Sequence, residues 1–257
     1  MPDYKDLLYD VKDDVATIAI NRPKRLNAFT GDTINEIKDA LLRSADDKRC
    51  GVIVLTGVGD RAFSAGGDVE WEAGGGLEAL NFPLSRVLAD LPKPVIARVS
   101  GYSIGGGNHL AYFCDFTIAA DHSIFGQNGP RVGSPAAGYI VSHSANILGH
   151  KRAREMWMLC RRYTAKQALE WGLINAVVPK EELDAEVRRW CDDLLALAPT
   201  CLKILKASFR LHMESIMSQE MSMVISKVAP NYFKTGEQQE GAGAFLEKRK
   251  PDFRRFR

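Results

Sequence analysis

Val15 to Ile20, VATIAI, is an unbroken apolar run rich in β-branched residues, and Asn21-Arg22-Pro23 stops it, which predicts a buried strand. Thr33 with Glu36 then reads as a capping box, after which Ile34, Ile37 and Leu41 recur at helical spacing. Val52 to Leu55 predicts a second strand that breaks at Gly57-Val58-Gly59. Pro94 to Val99 predicts a third, followed by the glycine-rich segment Gly101 to Gly107 and an apolar helix through Phe113, and Phe116 to Ala119 returns to strand. Alternating strands and helices of this kind call for a parallel or mixed α/β core. Val69 to Phe82 holds Gly74-Gly75-Gly76 and no clear period, so it reads as a mobile surface loop. Beyond about Lys151 the texture changes. Thr164 and Gln167 cap a helix that Gly172 ends, Leu173 to Val178 is short and apolar, and from Glu181 onward helical signals dominate.

Composition narrows the class. Apolar residues make up 46% and charged residues 26% of the 257, the proportions of an ordinary globular protein rather than a disordered or fibrous one. A net charge of +2 provides no global field for gripping nucleic acid. No apolar run reaches the roughly 18 residues that a membrane span needs. The segment MPDYKDLLYD is charged and lacks a signal-peptide core, and the five cysteines have no metal-type spacing. They read as reduced thiols of a cytoplasmic protein.

Two glycine clusters follow predicted strands, at Gly66-Gly67 and at Gly105-Gly106-Gly107, an internal echo. Glycine permits positive φ and lets a ligand approach the backbone. The second cluster opens a helix, where free N–H groups and the helix dipole favour a developing negative charge. Two N–H groups from separate turns converging on one oxygen would form an oxyanion hole for a thioester enolate or a tetrahedral oxyanion. Plain tight turns are the bland alternative. A dinucleotide fingerprint fails because Leu110 occupies its third glycine position, and a P-loop fails because no Gly-Lys-Ser/Thr follows.

Taken in order, Asn21-Arg22-Pro23 with Asn27-Ala28, Ala62-Phe63-Ser64-Ala65-Gly66-Gly67-Asp68, Gly101 to Gly107 and Cys114-Asp115 closely resemble the crotonase (enoyl-CoA hydratase) superfamily over nearly the whole chain. The resemblance implies an α/β fold, a superhelix of ββα units in residues 1–195, and a helical C-terminal trimerisation region in 196–257. It also implies a coenzyme A thioester substrate, with no metal or redox cofactor and no nucleic-acid or membrane partner. The assembly would be a homotrimer or a dimer of trimers. Carried onto this chain, the backbone N–H groups of Gly67 and Gly106 become the oxyanion hole. Ala65, Gly66, Asp68, Tyr102, Ile104 and Gly105 surround it as substrate-binding positions, Asp68 also capping the structure after Gly67.

Phe125 to Ser134, Ala153-Arg154-Glu155-Met156-Trp157 and Lys248 to Phe253 resemble one subgroup of the superfamily. It contains 1,4-dihydroxy-2-naphthoyl-CoA synthase and the hydrolases that open 2-ketocyclohexanecarboxyl-CoA and 6-oxocyclohexenecarbonyl-CoA. The two glutamates of simple hydratases are replaced here by His109 and Gly129. The synthases' aspartate and C-terminal tyrosine fall at Ala136 and Phe233. Losing a carboxylate and a phenol counts against ring closure, so hydrolytic ring opening is the leading expectation. Naphthoyl-CoA synthesis and atypical hydration stand behind it. A non-catalytic CoA-ester or RNA-binding protein on the same scaffold is the alternative of another class, since fold does not fix function.

His109 falls one helical turn beyond Gly106 and on its face; it reads as a general base or acid, against a buried histidine satisfied by a carbonyl. Gln127 and Gly129, with Asn128 between them, resemble bicarbonate-holding positions of some naphthoyl-CoA synthases. In a hydrolase the same cradle would hold the attacking water. Trp157 closes the pocket or packs the core, and Ser134 bonds a substrate ketone or merely its own turn. Tyr139 and His143 are weaker pocket candidates. Lys24, Arg25 and Lys248, with Phe245 beside the last, suit the phosphates of coenzyme A, against a reading as solvated surface charges; Lys248 matches a family contact made from the C-terminal region.

Overall fold

The structure is a computed structural model and describes residues 3–76, 84–215 and 223–256. Its larger sheet has six strands in the order β1-β2-β3-β5-β7-β10. They are β1 (Leu7–Lys12), β2 (Val15–Ile20), β3 (Val52–Gly57), β5 (Val95–Val99), β7 (Phe116–Ala120) and β10 (Ala176–Val178). Only the β1–β2 pair is antiparallel, through a two-residue turn in which Asp13 and Asp14 both have positive φ. Both faces of the central strands are covered, which explains the unbroken apolar runs. Ile18, Ile20, Ile53 and Leu55 join one core with α1 (Gly31–Asp46), α3 (Leu84–Asp90) and α4 (Gly106–Phe113). Val52, Val54, Ile96 and Ile118 meet Leu183, Val187 and Cys191 of α8 (Leu183–Leu195) on the other side.

A smaller sheet runs β4-β6-β8-β9, with β4 (Ala62–Ser64), β6 (Tyr102–Ile104) and β8 (Ile124–Gly126) parallel and β9 (Arg162–Thr164) antiparallel to β8. The chain therefore repeats one path: a strand of the large sheet, a strand of the small sheet, then a helix. β3–β4 leads to α2 (Val69–Trp71), β5–β6 to α4, and β7–β8 to α5 (Gly129–Val132). Ser64 pairs with Ser103 and Ile104 with Gly126, so three strand ends and the helix starts after them are stacked side by side. This is the ββα superhelix of the crotonase fold, and it explains the echo of glycine clusters.

Two local expectations are corrected. The α1 cap is Thr30, whose hydroxyl receives the Thr33 N–H, and Glu36 instead accepts the N–H groups of Lys5 and Asp6. Val69–Trp71 is helical, and a π-turn follows over Glu72–Gly76, in place of a structureless loop; the rest of that stretch to Phe82 lies outside the described residues. Thr164 and Gln167 do form the capping box of α7 (Ala165–Glu170). Helix α6 (Tyr139–Leu159) bends at Gly149 before α9 (Pro199–Ser215) and a C-terminal helix, Glu237–Leu246, complete the chain. No described helix is long and apolar enough to cross a membrane.

Candidate active site

The turn after β4 is stapled on both sides. Ala65 N–H reaches Leu26 O (3.0 Å), Gly66 N–H reaches Ser64 Oγ (3.1 Å), and Asp68 N–H reaches Phe29 O (2.9 Å). Buried Asn27, at φ +54°, ties the neighbouring segment down by donating to Ala62 O at 2.7 Å. These bonds pass over Gly67, whose N–H has no partner among the described residues. The next turn repeats the device. Gly105 N–H donates to Gly126 O (2.9 Å) and Gly105 O receives the first helical bond, from His109, so Gly106 N–H is a first-turn donor of α4 without a partner among the described residues. A methyl on Gly66, which has φ +94°, would sit 2.8 Å from Gly106 N, a measure of how closely the two turns approach.

Gly67 and Gly106 line one cavity of about 440 Å³. Ala65, Asp68, Gly105, His109, Gln127, Asn128, Gly129, Ser134, Trp157 and Phe245 line it too, and Lys24 and Arg25 stand at it. Its body is apolar, walled by Phe29, Ile34, Leu84, Leu110, Val132 and Ile140. Gly66 is not among the lining residues. Tyr102 is exposed, Ile104 is buried, and these two, Lys248, Tyr139 and His143 are not among the lining residues. Asp68 acts as the expected cap, accepting from Glu70 and Trp71 N–H, and it also pairs with Arg22 at 3.4 Å. Arg25 pairs with Glu70.

His109 Nε2 is 3.1 Å from Gln127 Oε1. An amide oxygen only accepts, so in this arrangement Nε2 carries the proton. Burial pushes the His109 pKa down to about 4 despite the bond to Gln127, so the ring is neutral near pH 7. Gln127 is fully buried, and its amide nitrogen has no partner among the described residues. Trp157 serves both expectations at once: its ring centroid is 5.2 Å from that of His109, while its Nε1–H donates to Ser144 Oγ at 2.8 Å.

His143, stacked on Phe113, is likewise held by burial at about 4. Both imidazoles are neutral in the fold but take up a proton near 6.5 when unfolded. Between those values the unfolded chain binds more protons, so their contribution to stability is complete above about 6.5 and is lost as pH falls toward about 4. Urea midpoints measured from pH 7 down to 4.5 are expected to fall, and His143→Gln is expected to flatten that slope.

One lining residue carries no signal in the sequence. Glu72, at the start of the π-turn, places its carboxyl against the Gly67 α-carbon, where an added methyl would come within 1.9 Å of Oε1. Burial, with Asp68 nearby, raises its pKa, and the nearby Ser134 hydroxyl opposes that rise. At the C-terminal end, Tyr232 rather than Phe233 makes the polar contact, its hydroxyl donating to Gly133 O at 2.5 Å, and neither lines the cavity. In the basic tail Arg249 and Arg255 meet Glu240 while Arg254 meets Asp252, which removes much of the free positive stripe an RNA-binding reading needs. Among the described residues no group of three or more His, Cys, Asp or Glu is placed to hold a metal ion.

Solved structures with the same spiral include an enoyl-CoA hydratase from Mycobacterium avium subsp. paratuberculosis K-10, 30% identical, covering 98% of this chain and 99% of that one at a TM-score of 0.87. A methylmalonyl-CoA decarboxylase in complex with 2-nitronate-propionyl-CoA is 28% identical over 98% of this chain and 99% of its own, with a TM-score of 0.89. An enoyl-CoA hydratase/isomerase from Xanthobacter autotrophicus Py2 is 31% identical, with coverages of 95% and 93% and a TM-score of 0.79. The enoyl-CoA hydratase/isomerase family model matches residues 10–255, nearly the full length that forms the two sheets and the paired glycine turns, and the chain therefore belongs to that family, within the crotonase superfamily.

Proposed function

We propose that this crotonase-superfamily acyl-CoA enzyme opens an alicyclic β-ketoacyl-CoA ring by hydrolysis. The observation that carries the reading is the pair of unpartnered N–H groups, Gly67 and Gly106, on one largely apolar cavity. Water adds to the ring ketone, the carbon–carbon bond beside the thioester breaks, and the electron pair moves onto the thioester oxygen as an enolate. Preorganised amides hold that charge without reorganising, and one such donor is worth about 3–4 kcal/mol. The apolar walls suit a carbocyclic acyl group. Gln127, oriented by neutral His109, offers an amide N–H to the incoming water or the ketone. Lys24 and Arg25 at the cavity, with Lys248 from the C-terminal end, are assigned to the coenzyme A phosphates.

His109→Ala is expected to lower kcat about 10²-fold while leaving coenzyme A affinity nearly unchanged, read by steady-state kinetics with calorimetric titration. Full turnover by the variant would remove His109 from the reaction. We also assign residues 196–257 to oligomerisation, on the support that Ile204, Leu205, Phe209 and Leu211 of α9 are large, apolar and exposed in the single chain.

A second reading is decarboxylation of a malonyl-type thioester. The methylmalonyl-CoA decarboxylase structure favours it, because the same two amides would hold the enolate left by loss of carbon dioxide. A mass-spectrometric screen of cyclic β-ketoacyl-, enoyl-, succinylbenzoyl- and malonyl-type CoA esters separates the readings. Gain of water with ring opening supports hydrolysis. Loss of carbon dioxide, loss of water with ring closure, or hydration of an enoyl ester each replaces it.

A further inference from the structure

Three acidic side chains, Asp68, Glu70 and Glu72, line the cavity within five residues of one another. Two of them are committed elsewhere. Asp68 caps α2 through Oδ1 and faces Arg22 through Oδ2, and Glu70 is spent on Arg25. Glu72 has no cation partner among the described residues. Its carboxyl lies beside Gly67, one of the two proposed oxyanion donors, and near the Ser134 hydroxyl, which lines the same cavity.

The backbone under it is fixed at both ends. Glu72 N–H donates to Asp68 O at 2.9 Å, and Glu72 O accepts from Nε2 of buried Gln238, on the C-terminal helix, at 3.1 Å. That last contact joins positions 166 apart in sequence, so the backbone that carries the carboxyl is held by the folded C-terminal helix and not by its own turn alone. A carboxyl without a counter-ion, fixed beside an oxyanion hole and facing an apolar chamber, has the surroundings of a proton carrier rather than a structural ion pair.

We propose that Glu72 is the catalytic acid–base group of this site, taking a proton from water and returning it to the α-carbon of the thioester. Resting on the ring-opening reading, the step balances as follows. The Glu72 carboxylate removes a proton from water as the water oxygen bonds to the ring carbonyl carbon, giving an alkoxide. The alkoxide re-forms its C=O, the adjacent carbon–carbon bond breaks, and its electron pair becomes the thioester enolate held by Gly67 and Gly106. Protonated Glu72 then gives its proton to the enolate α-carbon and is a carboxylate again. Hydroxyl ends on the new carboxyl carbon and hydrogen on the α-carbon, with no other reactant. The raised pKa of Glu72 makes its carboxylate a stronger base and so favours the first transfer, the removal of a proton from water.

The last transfer can be isolated from ring chemistry. In deuterium oxide the enzyme is expected to exchange the α-hydrogens of a saturated straight-chain acyl-CoA, which has no ring to open. Glu72→Gln is expected to slow this exchange at least 10²-fold, with thioester affinity by calorimetry within about threefold of the parent. Glu72→Asp is expected to recover part of the rate. The groups facing Glu72 are Asp68, itself beside Arg22, the Ser134 hydroxyl, and Tyr232 with Glu237 behind it. The working base is the ionised form, so exchange is expected to fall as pH drops through the raised carboxyl pKa, and Glu72→Gln is expected to lose that acid limb. Exchange by Glu72→Gln at the parent rate, or no exchange by the parent enzyme, overturns the assignment. Exchange that depends on Glu72 without turnover of any cyclic β-ketoacyl-CoA upholds Glu72 and rejects the ring-opening reading instead.

Discussion

Gly66→Ala is expected to lower turnover about 10²- to 10³-fold, because the new methyl group would stand 2.8 Å from Gly106 N and 2.9 Å from Ile104 O, in the narrow gap between the two turns. The first of those atoms is one of the two amide nitrogens proposed to hold the oxyanion. Relief requires the turns to part, which would move one N–H off the position assigned to the thioester oxygen. The backbone adds to the effect, since φ is +94° and an alanine there costs about 1–2 kcal/mol of strain. A control separates strain from obstruction. Gly149 also has positive φ, +72°, but a methyl there meets nothing within 4 Å, so Gly149→Ala is expected to lose some stability and keep its turnover. Steady-state kinetics on the substrate found by the mass-spectrometric screen, with a melting curve for each variant, reads both. Wild-type turnover by a folded Gly66→Ala enzyme would show that the paired amides do not grip the reacting oxygen.

Much of this site was legible because its parts repeat. Strands buried on both faces announce themselves as apolar runs, and each turn of the spiral ends a strand of the small sheet at a helix start, so Gly67, Gly106 and Gln127–Gly129 fall at matching points of successive repeats. β1 was invisible for the opposite reason. Its alternating burial leaves Leu8 and Asp10 outward, and six half-polar residues show no run. The α1 cap was misplaced by three residues because Thr30 and Thr33 offer the same chemistry, and only the fold reveals that Glu36 is occupied by the N–H groups of Lys5 and Asp6. Glu72 was hidden more deeply. Its significance lies in Ser134, 62 positions away, and in Gln238 beyond that, partners that no local period can bring together. The depressed pKa of His109 depends in the same way on burial that a single helical histidine does not advertise.

Lys206→Met is expected to destabilise the fold by about 3 kcal/mol, although in the sequence Lys206 is one of two lysines on its helix, with Lys203. In the structure it is only 8% exposed. Its Nζ donates to Lys93 O at 2.9 Å and to Asp115 Oδ2 at 2.5 Å, and the same carboxylate oxygen receives Val95 N–H at 2.7 Å. The ammonium thus fastens α9 to the start of β5 and to the link between α4 and β7. Removing it leaves a carbonyl unpaired and Asp115 without its cation in a pocket that shields most of it. The remaining 28% exposure of the Asp115 side chain lets water recover part of the loss, which places the effect at the low end of the range for broken buried pairs. Adding Asp115→Asn to Lys206→Met removes the stranded charge while keeping an acceptor for Val95 N–H. The double variant is therefore expected to be more stable than the sum of the single changes allows. Urea denaturation at pH 7 of the four proteins in this cycle measures the coupling. A loss below about 0.5 kcal/mol for Lys206→Met would place the pair with ordinary surface salt bridges and deny α9 this anchor.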